Sequence, residues 1–145
     1  MDRPPYAART LVREFAVVLH RGDWGMSPVA AQLSYDSSDP YALTLSLCIH
    51  DRSVPWIFAR ALLSQGLITP TGDGDVHIWP DSDDDDHAVV AIELCAGRGA
   101  VVVEIQTEDA TGFLTRTHTI VPPGHESQYC DLDATIALIR TAETN

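Results

Sequence analysis

The alternation of apolar with small or polar side chains over residues 41–50 constrains the fold most. The odd positions carry Tyr, Leu, Leu, Leu and Ile, whereas the even positions carry Ala, Thr, Ser, Cys and His. Because successive side chains of a β-strand point to opposite faces, this spacing predicts a strand with one face on a core and one towards water. Such two-faced strands are typical of antiparallel sheets.

Two later segments repeat the alternation and predict a β-hairpin across the glycines at 97 and 99. Their expected inward side chains are Val90, Ile92, Leu94, Val101, Val103 and Ile105. The expected outward side chains of the second strand are Glu104, Gln106 and Glu108. Residues 10–20 are instead rich in Val, Leu and Phe on both faces, which predicts a strand buried on each side or one that crosses into an oligomer.

Residues 54–80 predict a strand, a helix, a turn and a second strand in succession. Trp56, Ile57 and Phe58 are typical strand residues, and residues 59–65 are helix formers that Gly66 would close in the left-handed conformation. Residues 70–74 (PTGDG) have turn composition, and residues 76–79 form the next extended run.

Two more helices are predicted nearer the C-terminus. A weaker one covers residues 109–118, where Gly112 costs roughly 1 kcal/mol relative to alanine. A second begins at Asp131 and runs to Arg140, with apolar residues at i, i+4 and i+7 that would dock on the sheet. The prediction is therefore an α+β chain with an antiparallel sheet of six or seven strands and about three helices.

The charge of the chain argues against nucleic-acid binding. Nine basic and 21 acidic residues give a net charge of −12. Non-specific binding to nucleic acid depends on cations that displace counterions from phosphates, so this chain is repelled by such backbones. The nine arginines are scattered singly along the sequence, which predicts no local basic patch.

The sequence predicts neither an enzyme nor a metal or organic cofactor. None of the six histidines stands three or four residues from another histidine or a cysteine, as a helical metal pair would require. Cys48 and His50 share a predicted strand face but lack a second pair. Residues 71–75 lack the ligand spacing of a calcium loop, and the acidic residues 83–86 are interpreted as a solvated loop. Glycine-rich phosphate loops and nucleophile elbows are missing.

The expected organisation is a single domain over residues 1–145. Residues 1–9 are expected to be a flexible N-terminus and residues 81–87 an acidic loop. The three widely spaced cysteines are expected to be reduced, and without a signal-peptide pattern the expected location is the cytosol.

Five segments, in order, resemble one protein family. They are residues 33–42 (LSYDSSDPYA), 54–80 (VPWIFARALLSQGLITPTGDGDVHIWP), 113–117 (FLTRT), 121–124 (VPPG) and 131–133 (DLD). Together they resemble the SsgA-like proteins of actinomycetes, which help to place and time cell division during sporulation. The resemblance implies a barrel-like β-rich fold with helices at one end, similar to Whirly and guide-RNA-binding proteins.

The resemblance also implies a function and partners. It implies an interaction protein at the division septum that recruits the tubulin-like GTPase FtsZ, membrane or cell-wall division proteins, or other SsgA-like proteins, and that forms a homotrimer. Two large side chains without an obvious core role, Trp24 and Trp79, are the expected partner contacts, although both also suit a cap on the core or an oligomer contact. The alternative is a regulatory protein that binds single-stranded nucleic acid.

Overall fold

An eight-stranded sheet in which every neighbouring pair is antiparallel forms the framework of the computed structural model, which describes residues 9–22, 25–97 and 99–130. The spatial order is β4-β3-β2-β1-β8-β7-β6-β5. The sheet curves into a half-barrel with β4 and β5 at its edges. Its strands are β1 (Thr10–His20), β2 (Met26–Asp36), β3 (Ala42–Ile49), β4 (Arg52–Ala59), β5 (Thr71–Asp73), β6 (Val76–Ser82), β7 (Ala88–Ala96) and β8 (Gly99–Gln106).

Along the chain, one helix follows each set of four strands. Helix α1 (Arg60–Gly66) follows β4 and packs on β5 and β6, and helix α2 (Thr107–Ile120) follows β8 and packs on β7, β8 and β1. A short 3-10 helix covers Glu126–Gln128. Both α-helices place apolar side chains in the same core as the inward faces of the strands.

The core confirms the alternation that the sequence predicts. Leu43, Leu45 and Leu47 of β3 are buried, as are Val90, Ile92 and Leu94 of β7 and Val103 and Ile105 of β8. Each fully buried aliphatic side chain of this size contributes about 1.5–3 kcal/mol by leaving water. The period-two pattern therefore fixes which face of the sheet the helices cover.

The two halves of the sheet meet at a short junction. β1 and β2 pair along all 11 residues of β1, whereas β1 pairs with β8 only through Val18–His20. Residues 10–17 of β1 consequently have no strand partner on the side away from β2 within the described structure. Burial on both faces, one of the two interpretations of this segment, is not observed, because Val12 on the outer face is 41% exposed.

The predicted strand count is wrong. The sheet has eight strands rather than six or seven, and the extra pairing includes β5, whose residues pair with β6 where a turn was expected. The turn itself is shorter and contains Gly74 at a φ of 60°. The described residues contain two α-helices rather than about three, and the helix predicted to begin at Asp131 lies outside them.

Helix α2 begins earlier than the sequence suggested. Glu108, expected to point outward from a strand, lies with Asp109 in the first turn of α2. Acidic side chains stabilise the positive end of a helix, and this favours the earlier start.

Gly66 has a different role from the predicted left-handed cap. It lies within α1, and the residue after it, Leu67, has a right-handed φ of −69°. A Cβ on Gly66 would come within 2.5 Å of the side chain of Ile78. Glycine is therefore needed because α1 approaches β6 closely.

Candidate partner-binding groove

Of the two tryptophans predicted to contact partners, the structure places only Trp79. It lies half-buried in β6, and its indole Nε1 donates to Asp81 Oδ2 at 3.3 Å. Val76 and Ile78 of the same strand are buried in the core. Because successive side chains of a strand alternate, Trp79 faces the outer side of the sheet, as predicted. Trp24 lies outside the described residues.

A groove opens on another part of the surface, between α1 and the chain that follows α2. Its volume is about 390 Å³, and most of its lining is apolar. We call it the α1 groove and define it by Tyr41, Ala59, Ala61, Ser64, His118 and Pro123. Tyr41 is 52% exposed, so the groove carries a large aromatic side chain that the core does not use.

The position of Tyr41 follows from the turn that precedes β3. The Asp36 carboxylate accepts from the backbone and hydroxyl of Ser38, a local arrangement that begins a turn. The buried Tyr35 hydroxyl donates to the carbonyl oxygen of Pro40 at 2.9 Å. These contacts stabilise a turn that includes Tyr41, so the buried alternation of β3 begins only after it, at Ala42. The prediction that Tyr41 faces the core is therefore wrong.

Arg60 holds the floor of the groove together. Its side chain is 4% exposed, and its guanidinium donates to the carbonyl oxygens of Thr117 at 3.2 Å and Val121 at 2.8 Å. It also pairs with Glu126 Oε1 at 3.1 Å and lies 5.0 Å from the ring centroid of Tyr35. The last carbonyls of a helix lack partners within the helix, so Arg60 satisfies and neutralises the C-terminal end of α2.

The far wall of the groove depends on the same ion pair. Glu126 accepts from the backbone N–H of Gly124 at 2.6 Å while it pairs with Arg60. Gly124 has a φ of 85°, and the N–H of His125 donates to the carbonyl of Pro122 at 3.0 Å, which closes a tight turn. The arginine therefore fixes the segment over residues 122–126 against α1.

Burial sets the protonation of two groups beside this ion pair. Burial raises the pKa of Tyr35 to about 12, so its hydroxyl stays a hydrogen-bond donor near neutral pH. Burial, assisted by the Arg60 charge, lowers the pKa of His118 below its usual 6.5. His118 therefore adds no charge to the groove at neutral pH, and an apolar occupant meets little electrostatic cost there.

Groups that could bind a metal lie away from the groove. In the described part of the chain, one cluster consists of His77, Glu93 and Cys95, and the other of Asp83, Asp85 and His87. Sequence spacing did not find the first cluster because its members come from two different strands. Cys48 is exposed.

No helix among the described residues has both the length and the apolar character needed to span a membrane.

The chain matches the family described as "Streptomyces sporulation and cell division protein, SsgA" over residues 29–126. A protein of Thermobifida fusca, "Sporulation-specific cell division protein SsgB", is 44% identical over 111 residues, which cover 76% of this chain and 80% of that protein.

Two solved structures share the fold. The crystal structure of an SsgA-like sporulation-specific cell division protein from Thermobifida fusca superposes with a TM-score of 0.81 and 40% identity, covering 90% of this chain and 95% of that one. The second, reported with SsgB mutations that correlate with longitudinal cell division during sporulation of Streptomyces coelicolor, has a TM-score of 0.78 and 36% identity, covering 84% of this chain and 96% of that one. The chain therefore belongs to the SsgA family of sporulation and cell division proteins.

Proposed function

We propose that this protein acts in sporulation-linked cell division as a non-enzymatic interaction protein. It helps to place or recruit FtsZ or cell-wall remodelling proteins, and it works in the cytoplasm at the division septum. Membrane division proteins and other SsgA-like proteins are further proposed partners. The family membership supports a role in sporulation-linked cell division, and the proposal adds that the protein acts by binding other division proteins.

The observation that carries the proposal is the α1 groove. All its lining residues fall between positions 41 and 126, inside the segment that matches the family. Its apolar lining and exposed aromatic side chain are typical of a surface that receives an apolar anchor from a partner. We propose that an apolar side chain of FtsZ occupies it, with Tyr41 as the main contact.

Charge supports a local contact rather than long-range attraction. At a net charge of −12 this chain repels an acidic partner at distance, so association is not electrostatically steered.

Trp79, on the outer face, and Trp24 stay proposed contacts for a second partner such as another SsgA-like protein. The likeness to Whirly and guide-RNA-binding folds stays a prediction.

A binding titration over a salt series tests this function. Affinity for FtsZ should stay level or rise modestly between ~50 and ~300 mM salt, because added ions screen the repulsion between two acidic proteins. Tyr41→Ser should weaken binding about tenfold or more, since truncation of a central hot-spot aromatic costs about 2 kcal/mol or more and a tenfold change corresponds to about 1.4 kcal/mol. Ile68→Ser, at a residue that is 81% exposed and outside the groove lining, should leave affinity unchanged.

The same salt titration with single-stranded DNA and RNA in place of FtsZ tests the alternative function, nucleic-acid binding. A nucleic-acid complex would lose affinity steeply with salt, by about 10³ or more for a protein with six phosphate contacts. Tight nucleic-acid binding that collapses with salt, beside undetectable FtsZ binding, would contradict the proposal. Equal FtsZ affinity of Tyr41→Ser and the unmodified protein would contradict the role of the groove.

We also propose a homotrimer. The unpaired part of β1 supports self-association, because a long strand edge with apolar neighbours invites a partner. Light scattering after size exclusion should give the mass of three chains of 15.8 kDa each. A 15.8 kDa species at tens of micromolar protein would contradict self-association.

A further inference from the structure

Three side chains with metal-binding atoms converge on the outer face of the β6–β7 hairpin. His77 and Glu93 stand directly opposite each other in the antiparallel register. Cys95 follows Glu93 by two positions in β7 and so shares its face. The register of two strands therefore assembles an imidazole, a carboxylate and a thiol that are far apart in sequence.

The distances between these groups are short. Glu93 Oε1 lies 3.2 Å from His77 Nδ1 and 3.7 Å from Cys95 Sγ. One ligand atom from each residue lies within 4.8 Å of the other two. Ligand atoms around a tetrahedral Zn²⁺ ion are separated by roughly 3.5 Å, given metal–ligand bonds of about 2.0–2.3 Å. The separations of 3.2 Å and 3.7 Å are already close to that spacing.

The imidazole of His77 is held in place by a glycine. A Cβ on Gly72, in the neighbouring strand β5, would lie only 2.4 Å from Cδ2 of the His77 ring. The ring therefore lies against the backbone of Gly72, where a side chain would clash with it, and its Nδ1 lies 3.2 Å from Glu93 Oε1. Orientation of a ligand by groups behind it is a regular feature of metal sites in proteins.

The surroundings of the thiol are negative. Asp75 precedes His77 by two positions, and its carbonyl oxygen accepts from the N–H of Cys95 at 2.9 Å. The carboxylates of Glu93 and Asp75 both act electrostatically on the Cys95 thiol. A cation is favoured at such a point, and water is available as a fourth ligand.

We propose that His77, Glu93 and Cys95 form a binding site for a zinc ion at the surface of the β6–β7 hairpin. The ligand set selects the metal, because thiolate and imidazole favour Zn²⁺ over the oxygen-seeking Mg²⁺ and Ca²⁺. Binding releases the thiol proton of Cys95 to solvent and leaves one position of the ion accessible. The proposal is independent of the α1 groove.

This site is an addition to a hairpin that the sheet already holds. β6 pairs with β7 along seven residues, and the side chain of His77 is 49% exposed. Zinc is therefore expected to bind the folded protein rather than to fold it, and treatment with EDTA should lower the melting temperature by less than ~10 °C, unlike a structural zinc worth on the order of 10 kcal/mol.

Cobalt(II) titration of the metal-free, reduced protein tests the site, since Co²⁺ replaces Zn²⁺ and reports its ligands by absorption. We expect one equivalent to bind, with the charge-transfer absorption of a cobalt–thiolate bond, and added Zn²⁺ to remove that absorption. Cys95→Ser should abolish it. Cys48→Ser, which removes a thiol on β3 outside the cluster, should leave it intact.

A substitution beside the ligands provides the second test. Gly72→Ala keeps all three ligands but pushes the His77 ring, and it should weaken zinc binding by about 10–100-fold in competition with a chromophoric chelator. Circular dichroism verifies that each variant is folded. Absence of cobalt–thiolate absorption in the unmodified protein, or its persistence in folded Cys95→Ser, would overturn the proposal.

Discussion

Replacing Arg60 with alanine is expected to lower the free energy of unfolding by about 3–5 kcal/mol, because removal of one partner leaves the other charge of a buried ion pair uncompensated. Glu126, only 15% exposed, would lose its cation, the carbonyl of Val121 would lose the guanidinium donor, and the carbonyl of Thr117 would keep only the N–H of Val121. Urea unfolding followed by circular dichroism measures the change.

A charge-conserving variant at position 60 and a control at an exposed arginine show what the guanidinium contributes. Arg60→Lys should recover only part of the loss, because one ammonium group cannot reproduce a planar fork that reaches Thr117, Val121 and Glu126 together. Arg116→Ala, which removes an exposed arginine from α2, should change stability by no more than about 0.5 kcal/mol. Equal stability of Arg60→Ala and Arg116→Ala would contradict the central role of Arg60.

Gly66→Ala is expected to destabilise the protein by ~1–3 kcal/mol, at the upper end of that range. The added methyl would lie 2.2 Å from Cγ2 and 2.5 Å from Cβ of Ile78, whose side chain is fully buried. Neither atom can move without displacing the core, so α1 must shift away from β6. The same unfolding measurement tests this expectation.

Gly112→Ala is the matched control and should have the opposite sign. Gly112 lies in α2 with nothing within 4 Å of an added Cβ, so alanine should stabilise the helix by about 0.5–1 kcal/mol. If Gly66→Ala stabilised the protein as much as Gly112→Ala, helix propensity rather than close packing would govern position 66.

The strands with regular alternation could be predicted because burial on one face determines their side-chain pattern. β3 and the inward residues of β7 and β8 follow that rule, although Val89 and Ala91 on the other face of β7 are buried as well. β2 was not predicted, although its residues 31–36 alternate in the same way, because its first half includes Pro28 and Ala30 at outward positions and extends beyond the ladder with β3. β5 has only three residues, one of them Gly72, and its pairing depends on β6 rather than on its own composition.

The groove could not be predicted because its key residue breaks a statistical rule. Arginine is seldom fully buried, so Arg60 was interpreted only as a helix former. Its partners, Thr117, Val121 and Glu126, are more than 50 positions away in sequence. The available signal was an isolated cation between Phe58 and Leu62 in an otherwise apolar segment.

The two border strands limit how the sheet can grow. β4 contains Pro55, which has no N–H to offer, and β5 is three residues long with an aspartate at its end. Both features discourage edge-to-edge addition of further chains. The two ends of the sheet are therefore poor templates for cross-β growth, and among the described residues the unpaired part of β1 is left as the strand edge open to a second chain.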